Sequence, residues 1–262
     1  MKIDTLQLKD RSIRYFRFGD PEGQPMVIIP GVALKSVMLS AMLIEKQYQD
    51  FADAFNVFVF DRRMDMPAHY SIKSMAEDIC QALDSLSIRS ADIYGVSQGG
   101  MIAQCIAVDR PDPVRKLVLC STSGYVPPTA SAVFQEWSSL TKAQNIEGLV
   151  LSFAKNVYSQ SYFEKNRDAF IQFGRTVTED ELQRFYTSLA CFDACDLRNE
   201  LHRIQSPVLV IGGEQDRIFG AESAKEIAKH TNGKLILYPN DAHAVYDENP
   251  DVMKRIRSFL DA

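Results

Sequence analysis

The chain has 262 residues, which suits one α/β domain with an insertion and is enough to bury a core without disulfides or metals. Its 29 Lys and Arg residues are outnumbered by 34 Asp and Glu residues, so there is no excess positive charge that would indicate binding to nucleic acid or to an anionic membrane. No apolar run approaches the length needed to span a bilayer, and residues 1–10 do not resemble a signal peptide. With five cysteines and no C-x-x-C pair, the sequence predicts a cytoplasmic protein with reduced thiols.

Eight short segments are predicted as strands. Residues 3–8 and 12–18 alternate polar and apolar side chains, which predicts an antiparallel hairpin. Continuous apolar runs then predict strands buried on both faces at residues 26–30, 56–60, 92–96, 116–121, 207–213 and 234–239. Helical spacing predicts helices around residues 38–54, 71–86, 98–109, 221–230 and 250–260. Ser74 and Glu77 have the spacing of a capping box in the second of these helices, with Ser71 as an alternative start.

Residues 124–200 interrupt this alternation, because helical segments follow one another there without a strand between them. Thr178 and Glu181 predict a second capping box in this insert. The insert holds 12 of the 26 aromatic residues, which suits an apolar lid over a pocket and equally suits helices that need a core of their own. The pattern predicts an α/β fold with a mostly parallel, predominantly eight-stranded twisted sheet and helices on both faces. The predicted domains are a core of residues 1–123 and 201–262 and a helical cap of residues 124–200.

The segment Gly95-Val96-Ser97-Gln98-Gly99 lies between a predicted strand and a predicted helix. A sharp turn there would hold the Ser97 hydroxyl above the sheet edge, although glycines also serve ordinary strand–helix turns. A serine nucleophile needs a base that is oriented by an acid. His243 follows the last predicted strand, at the edge where open α/β sheets place their sites. Asp216 follows the preceding strand and is the candidate acid, with Glu214 as a weaker alternative.

With these residues the chain resembles the α/β-hydrolase family over nearly its whole length. The resemblance rests on Asp61-Arg62-Arg63 after a strand, Gly95-x-Ser97-x-Gly99, Gly213-x-x-Asp216 after a strand, and His243 followed by Glu248-Asn249-Pro250. It implies that Ser97 is the nucleophile, His243 the general base and then acid, and Asp216 the residue that orients His243. It also implies an oxyanion hole formed by the backbone N–H groups of Val32 and Gln98.

Three positions depart from the family's pattern. Pro30-Gly31-Val32 stands where His-Gly is common, Met64-Asp65-Met66-Pro67 replaces a glycine-rich segment, and Ala242 replaces a glycine. The proline should reshape the pocket wall without removing the oxyanion donors, and the role of residues 64–67 is left open. Cys191 and Cys195 lie four apart and would share a face of a helix, where packing is a simpler explanation than a redox or metal role.

The sequence therefore predicts a serine hydrolase that cleaves a carboxylic ester, thioester or lactone of a small, partly apolar molecule. In this fold the same residue types also serve C–C bond hydrolysis, acyl transfer and cofactor-free perhydrolysis. A non-catalytic ligand-binding protein is the alternative from another class. No motif calls for a cofactor or a metal, and the expected partner is a small-molecule substrate rather than nucleic acid or a membrane. Homo-oligomer formation is left open.

Overall fold

The computed structural model describes residues 2–67, 69–192 and 195–262. Within them one sheet is formed by β1 (Ile3–Gln7), β2 (Ser12–Gly19), β3 (Gln24–Ile29), β4 (Phe55–Phe60), β5 (Ala91–Val96), β6 (Val114–Cys120), β7 (Val208–Gly213) and β8 (Lys234–Tyr238). The strand order is β1-β2-β4-β3-β5-β6-β7-β8. β2 pairs antiparallel with β1 and β4, and the remaining pairs are parallel. The predicted α/β class and the eight-stranded, mostly parallel sheet are confirmed.

Helices cover both faces of this sheet, and four more form an insert between β6 and β7. The helices of the described residues are α1 (Ala41–Gln47), α2 (Ile72–Ser85), α3 (Gln98–Asp109), α4 (Pro128–Lys142), α5 (Ile146–Val157), α6 (Gln160–Gly174), α7 (Glu179–Ala190), α8 (Gly220–Thr231), α9 (Val245–Glu248) and α10 (Asp251–Asp261). Successive side chains of a strand point to opposite faces. Along β3, Val27 and Ile29 therefore pack with residues of α2 and α3, while Met26 and Ile28 pack with residues of α1 and α10.

The four helices α4–α7 follow one another between β6 and β7, where the sequence predicted a helical insert. Their aromatic residues pack mainly on each other. The rings of Phe134 and Phe192 stack with centroids 4.3 Å apart, and those of Trp137 and Phe153 are 4.8 Å apart. The buried members of this group belong to the same hydrophobic cluster as one face of the sheet. The insert thus has an aromatic core that continues into the main one, and its role as a cap stays a prediction.

The first residues of α2 and α7 test the N-caps that were predicted from the sequence. α2 begins after Ser71, whose Oγ accepts a hydrogen bond from the backbone N–H of Ser74 at 3.1 Å, so the predicted Ser74–Glu77 capping box is wrong. The earlier start brings the apolar side chain of Ile72 into the buried face of the helix. In α7, the predicted capping box of Thr178 and Glu181 is present.

The helix predicted over residues 38–54 is divided in the structure. A 3-10 turn at Val37–Ser40 precedes α1, and another at Gln49–Phe51 follows it. This division keeps Met38, Tyr48 and Phe51 buried while the α1 surface between them faces solvent.

Candidate active site

Ser97 lies in a strained turn between β5 and α3. Its φ of 53° is unusual for a residue with a side chain and costs about 1–3 kcal/mol. The glycines on either side permit this close turn: a Cβ on Gly99 would lie 1.9 Å from the carbonyl oxygen of Ile29, and one on Gly95 2.5 Å from the Gly99 oxygen. The Thr122 hydroxyl donates to the Ser97 carbonyl oxygen at 2.7 Å. The chain therefore forms the predicted strand–turn–helix arrangement around Ser97.

Asp216 and His243 form a buried pair in the loops after β7 and β8. Asp216 Oδ2 lies 2.9 Å from His243 Nδ1, and the two side chains are 4% and 3% exposed. Asp216 Oδ1 accepts hydrogen bonds from the backbone N–H groups of Ile218 at 2.7 Å and Phe219 at 3.2 Å. Burial alone would raise the pKa of Asp216, but His243 and these hydrogen bonds outweigh it and lower the pKa below its usual value. The ionised carboxylate can hold Nδ1–H of a neutral imidazole, which leaves Nε2 free to accept a proton.

The predicted nucleophile lies at the same edge of the sheet as this pair. Ser97, Asp216 and His243 follow the carboxyl ends of β5, β7 and β8 respectively. Among the hydrogen bonds of the described residues, none joins Ser97 Oγ to the His243 ring. Such bonds are often long before substrate binds. Glu214, the weaker candidate for the acid, is exposed to solvent.

Val32 and Gln98, the predicted oxyanion donors, line one small cavity beside Ser97. Gly31 lines it too, and a Cβ on Gly31 would lie 3.1 Å from Ser97 Cβ and 3.7 Å from Ser97 Oγ. Gln98 is the first residue of α3, where a backbone N–H has no acceptor within its own helix. The site can therefore present backbone donors close to the Ser97 hydroxyl, and their role stays a prediction.

A buried polar network behind this cavity was not found by sequence reasoning. The fully buried side chain of Gln98 accepts hydrogen bonds from Arg62 Nε at 3.2 Å and Arg62 Nη2 at 3.1 Å. Its own Nε2 donates to the carbonyl oxygen of Ser188 in α7 at 2.9 Å. Arg62 Nη2 also donates to the Pro30 carbonyl oxygen at 2.7 Å. Arg62 thus holds both segments that carry the candidate oxyanion donors.

Arg184 of α7 extends this network to the insert. Its Nη2 donates to Asp61 Oδ1 and to the Arg62 carbonyl oxygen, each at 3.0 Å, and its Nη1 donates to the Arg63 carbonyl oxygen at 3.0 Å. The sequence signal for these contacts is the run of three charged residues, Asp61-Arg62-Arg63, directly after a buried strand.

A larger cavity of about 400 Å³ adjoins the small one and is mostly apolar. Phe153, Tyr158 and Phe170 of the insert line one side, and residues 33–37 line the other. The two cavities share Ala33, Lys35 and Val37 in their linings. Ser97, Asp216 and His243 are not part of either lining.

The structure also locates two features whose role the sequence left open. Within residues 64–67, Met66 lines the small cavity, and its sulfur accepts a hydrogen bond from the Ser188 hydroxyl at 3.5 Å. Cys191 and Cys195 do not share a helix face, because α7 ends at Ala190. Cys195 is instead a partner of Cys105, whose pKa is raised chiefly by a hydrogen bond with that thiol.

The described residues contain no group of three or more His, Cys, Asp or Glu side chains arranged to hold a metal ion. None of the helices described is both long and apolar enough to cross a membrane.

Comparisons with known proteins agree on one fold. A family model described as alpha/beta hydrolase fold matches residues 24–250. The 3-oxoadipate enol-lactonase 2 of Acinetobacter baylyi is 22% identical over 232 residues, covering 87% of this chain and 84% of the relative. A hydrolase from Pseudomonas aeruginosa PA01 has a crystal structure that is 25% identical, with a TM-score of 0.82 over 99% of this chain and 98% of the other. The enol-lactonase from Burkholderia xenovorans LB400 is 19% identical, with a TM-score of 0.84 over 99% and 100%.

Proposed function

Because this chain belongs to the α/β-hydrolase family, we propose that it is a serine hydrolase acting on a carboxylic ester, thioester or lactone of a small, partly apolar molecule. The observation that carries this proposal is the buried pair of Asp216 and His243, 2.9 Å apart, at the sheet edge where Ser97 occupies its strained turn. Such a turn persists only where the surrounding structure maintains it, and strain of this kind concentrates at functional sites.

In the proposed mechanism, Ser97 Oγ attacks the substrate carbonyl carbon while His243 Nε2 takes the hydroxyl proton. Asp216 stabilises the imidazolium that forms, and the backbone N–H groups of Val32 and Gln98 bind the oxyanion. The tetrahedral intermediate collapses when the imidazolium gives its proton to the leaving oxygen or sulfur. A water molecule activated by His243 then attacks the acyl-enzyme and releases the acid, which regenerates Ser97.

The larger cavity supports the proposed substrate class. The apolar cavity of about 400 Å³, lined by residues 33–37 and by the insert, is of the size used for small ligands. Similarity to proteins named as enol-lactonases supports a lactone or another activated ester.

Replacement of the hydroxyl tests the proposal directly. Ser97→Ala should abolish hydrolysis of p-nitrophenyl acetate and covalent labelling by a fluorophosphonate probe, with the fold unchanged by circular dichroism. Ser90→Ala, at an exposed serine, is the matched control and should retain both. Full activity in Ser97→Ala would disprove the mechanism. A folded wild-type protein that neither turns over esters nor becomes labelled would instead support the ligand-binding alternative.

A further inference from the structure

Two cysteine thiols that the proposed reaction does not use are in contact outside the candidate active site. Cys105 of α3 and Cys195, which follows the last helix of the insert, line one cavity of about 310 Å³, and their side chains form a hydrogen bond. Cys105 is 4% exposed, whereas Cys195 is half-buried. The cavity therefore presents one accessible thiol with a buried thiol in contact with it.

The segment that carries Cys195 is fixed by backbone contacts. The Leu197 N–H donates to the Gly124 carbonyl oxygen at 2.7 Å, and Asp196 forms an antiparallel bridge with Tyr125. The other thiol lies within α3, whose own hydrogen bonds fix its backbone. The contact between the two thiols therefore joins two fixed parts of the chain, and the sulfur atoms need only a short movement to form a bond.

Cys191 lines the same cavity, but its thiol is directed elsewhere. Its Sγ donates to the carbonyl oxygen of Thr187, one turn earlier in the chain, at 3.1 Å. The observed contact, rather than proximity in the sequence, thus selects Cys105 as the partner of Cys195. We propose that Cys105 and Cys195 form a reversible disulfide by exchange with a small disulfide.

The small disulfide is the oxidant in this exchange. The Cys195 thiolate attacks one of its sulfur atoms, forms a mixed disulfide and releases a small thiolate. The Cys105 thiolate then attacks the Cys195 sulfur, which forms the protein disulfide and releases the second small thiolate. The two released thiolates take up the two protons that the cysteines lose. The protein is therefore oxidised by two electrons, and the small disulfide is reduced to two thiols.

The order of these steps follows from the contact and from burial. The hydrogen bond with Cys195, together with burial, raises the pKa of Cys105, so the buried thiol stays protonated and Cys195 reacts first. Once the Cys195 sulfur is part of the mixed disulfide, it no longer holds the Cys105 proton as a thiolate, and the main cause of the raised pKa is removed. Cys105 then ionises and attacks.

The bond would close a loop that contains the whole insert. Residues 106–194 lie between the two cysteines, and α3 begins directly after Ser97. The disulfide would therefore attach the end of the insert to the helix that follows the candidate nucleophile. Because it constrains a long loop of the unfolded chain, it should raise the melting temperature by about 5–10 °C.

Thiol mapping of the wild-type protein tests the pairing without any substitution. After reduction and then equilibration with oxidised glutathione, the protein should keep three of its five thiols. Peptide mass spectrometry without reductant should find a Cys105–Cys195 crosslink, and dithiothreitol should reverse both this bond and the rise in melting temperature. Five remaining thiols, a bond to Cys191 instead, or an oxidised protein no more stable than the reduced one would overturn the proposal.

Single substitutions separate the two steps of the exchange. Cys105→Ala should stop at the mixed disulfide and carry one glutathionyl group on Cys195. Cys195→Ala should gain neither a crosslink nor an adduct, because the four remaining thiols are buried. Cys191→Ala is the matched control and should form the Cys105–Cys195 crosslink as the wild type does. A glutathionyl group on Cys105 in Cys195→Ala, or a missing crosslink in Cys191→Ala, would refute the proposed route.

Discussion

Asp216→Asn tests the acid–base pair with almost no change in volume. The asparagine oxygen can still accept the backbone N–H groups of Ile218 and Phe219, which now bond to Asp216 Oδ1 at 2.7 and 3.2 Å. Its NH₂ group would then face His243 Nδ1, which lies 2.9 Å from Asp216 Oδ2. Two donors cannot share that contact, so the imidazole must move its proton to Nε2. The nitrogen proposed to accept the Ser97 proton would then be blocked.

The expected loss is large for catalysis and modest for stability. A wrong tautomer in a Ser-His-Asp triad costs about four orders of magnitude in kcat, which corresponds to about 5 kcal/mol of barrier. The fold exchanges a hydrogen bond to a charged group for a neutral one from the asparagine NH₂ to His243 Nδ1, which should cost about 1 kcal/mol. Because the side chain of Asp216 is only 4% exposed, little solvent screening reduces this value.

Two measurements check these magnitudes. Initial rates with p-nitrophenyl acetate give kcat, and the exposed Glu214 supplies the control Glu214→Gln, which should stay near wild-type activity. An Asp216→Asn protein within tenfold of wild-type kcat would refute the role of Asp216, and a large loss of activity in Glu214→Gln would instead assign that role to Glu214.

The lowered pKa of Asp216 means that its ionised form stabilises the fold at pH values above its unfolded-state pKa of 3.8. The melting temperatures of wild type and Asp216→Asn should therefore differ at neutral pH and converge as pH falls through the folded-state pKa.

Two further predictions concern the framework of the site. Gly99→Ala should lower the free energy of unfolding in urea by about 3 kcal/mol, because its Cβ would lie 1.9 Å from the Ile29 carbonyl oxygen; wild-type stability would contradict that contact. In hydrogen exchange, α6, in which only Gly174 of the fifteen residues is buried, should lose protection well before α7, which buries Leu182, Phe185, Ser188 and Leu189. Equal protection of the two helices would refute this reading of the insert.

The strands and the turn around Ser97 could be predicted because their signals are local. A buried strand is a short apolar run, and Gly95 and Gly99 stand within four residues of each other in the sequence. The error at the start of α2 was also local: Ser71 and Ser74 both suit an N-cap, and burial of Ile72 decides between them. Propensity alone does not include that burial.

The polar network could not be predicted because its members are far apart in the chain. Arg62 and Gln98 are separated by 36 positions, and Gln98 and Ser188 by 90. Each of these residues has an ordinary surface interpretation when it is considered alone. Only the folded sheet brings the end of β4 beside the start of α3 and places α7 over both.

These contacts also determine which part of the insert is fixed at the candidate site. Gln98 is held by Arg62 from the sheet and by Ser188 from α7. Withdrawal of α7 would leave the buried amide of Gln98 and the carboxylate of Asp61, now bound by Arg184, without these partners. Each such loss costs about 1–3 kcal/mol, so α7 belongs structurally to the site.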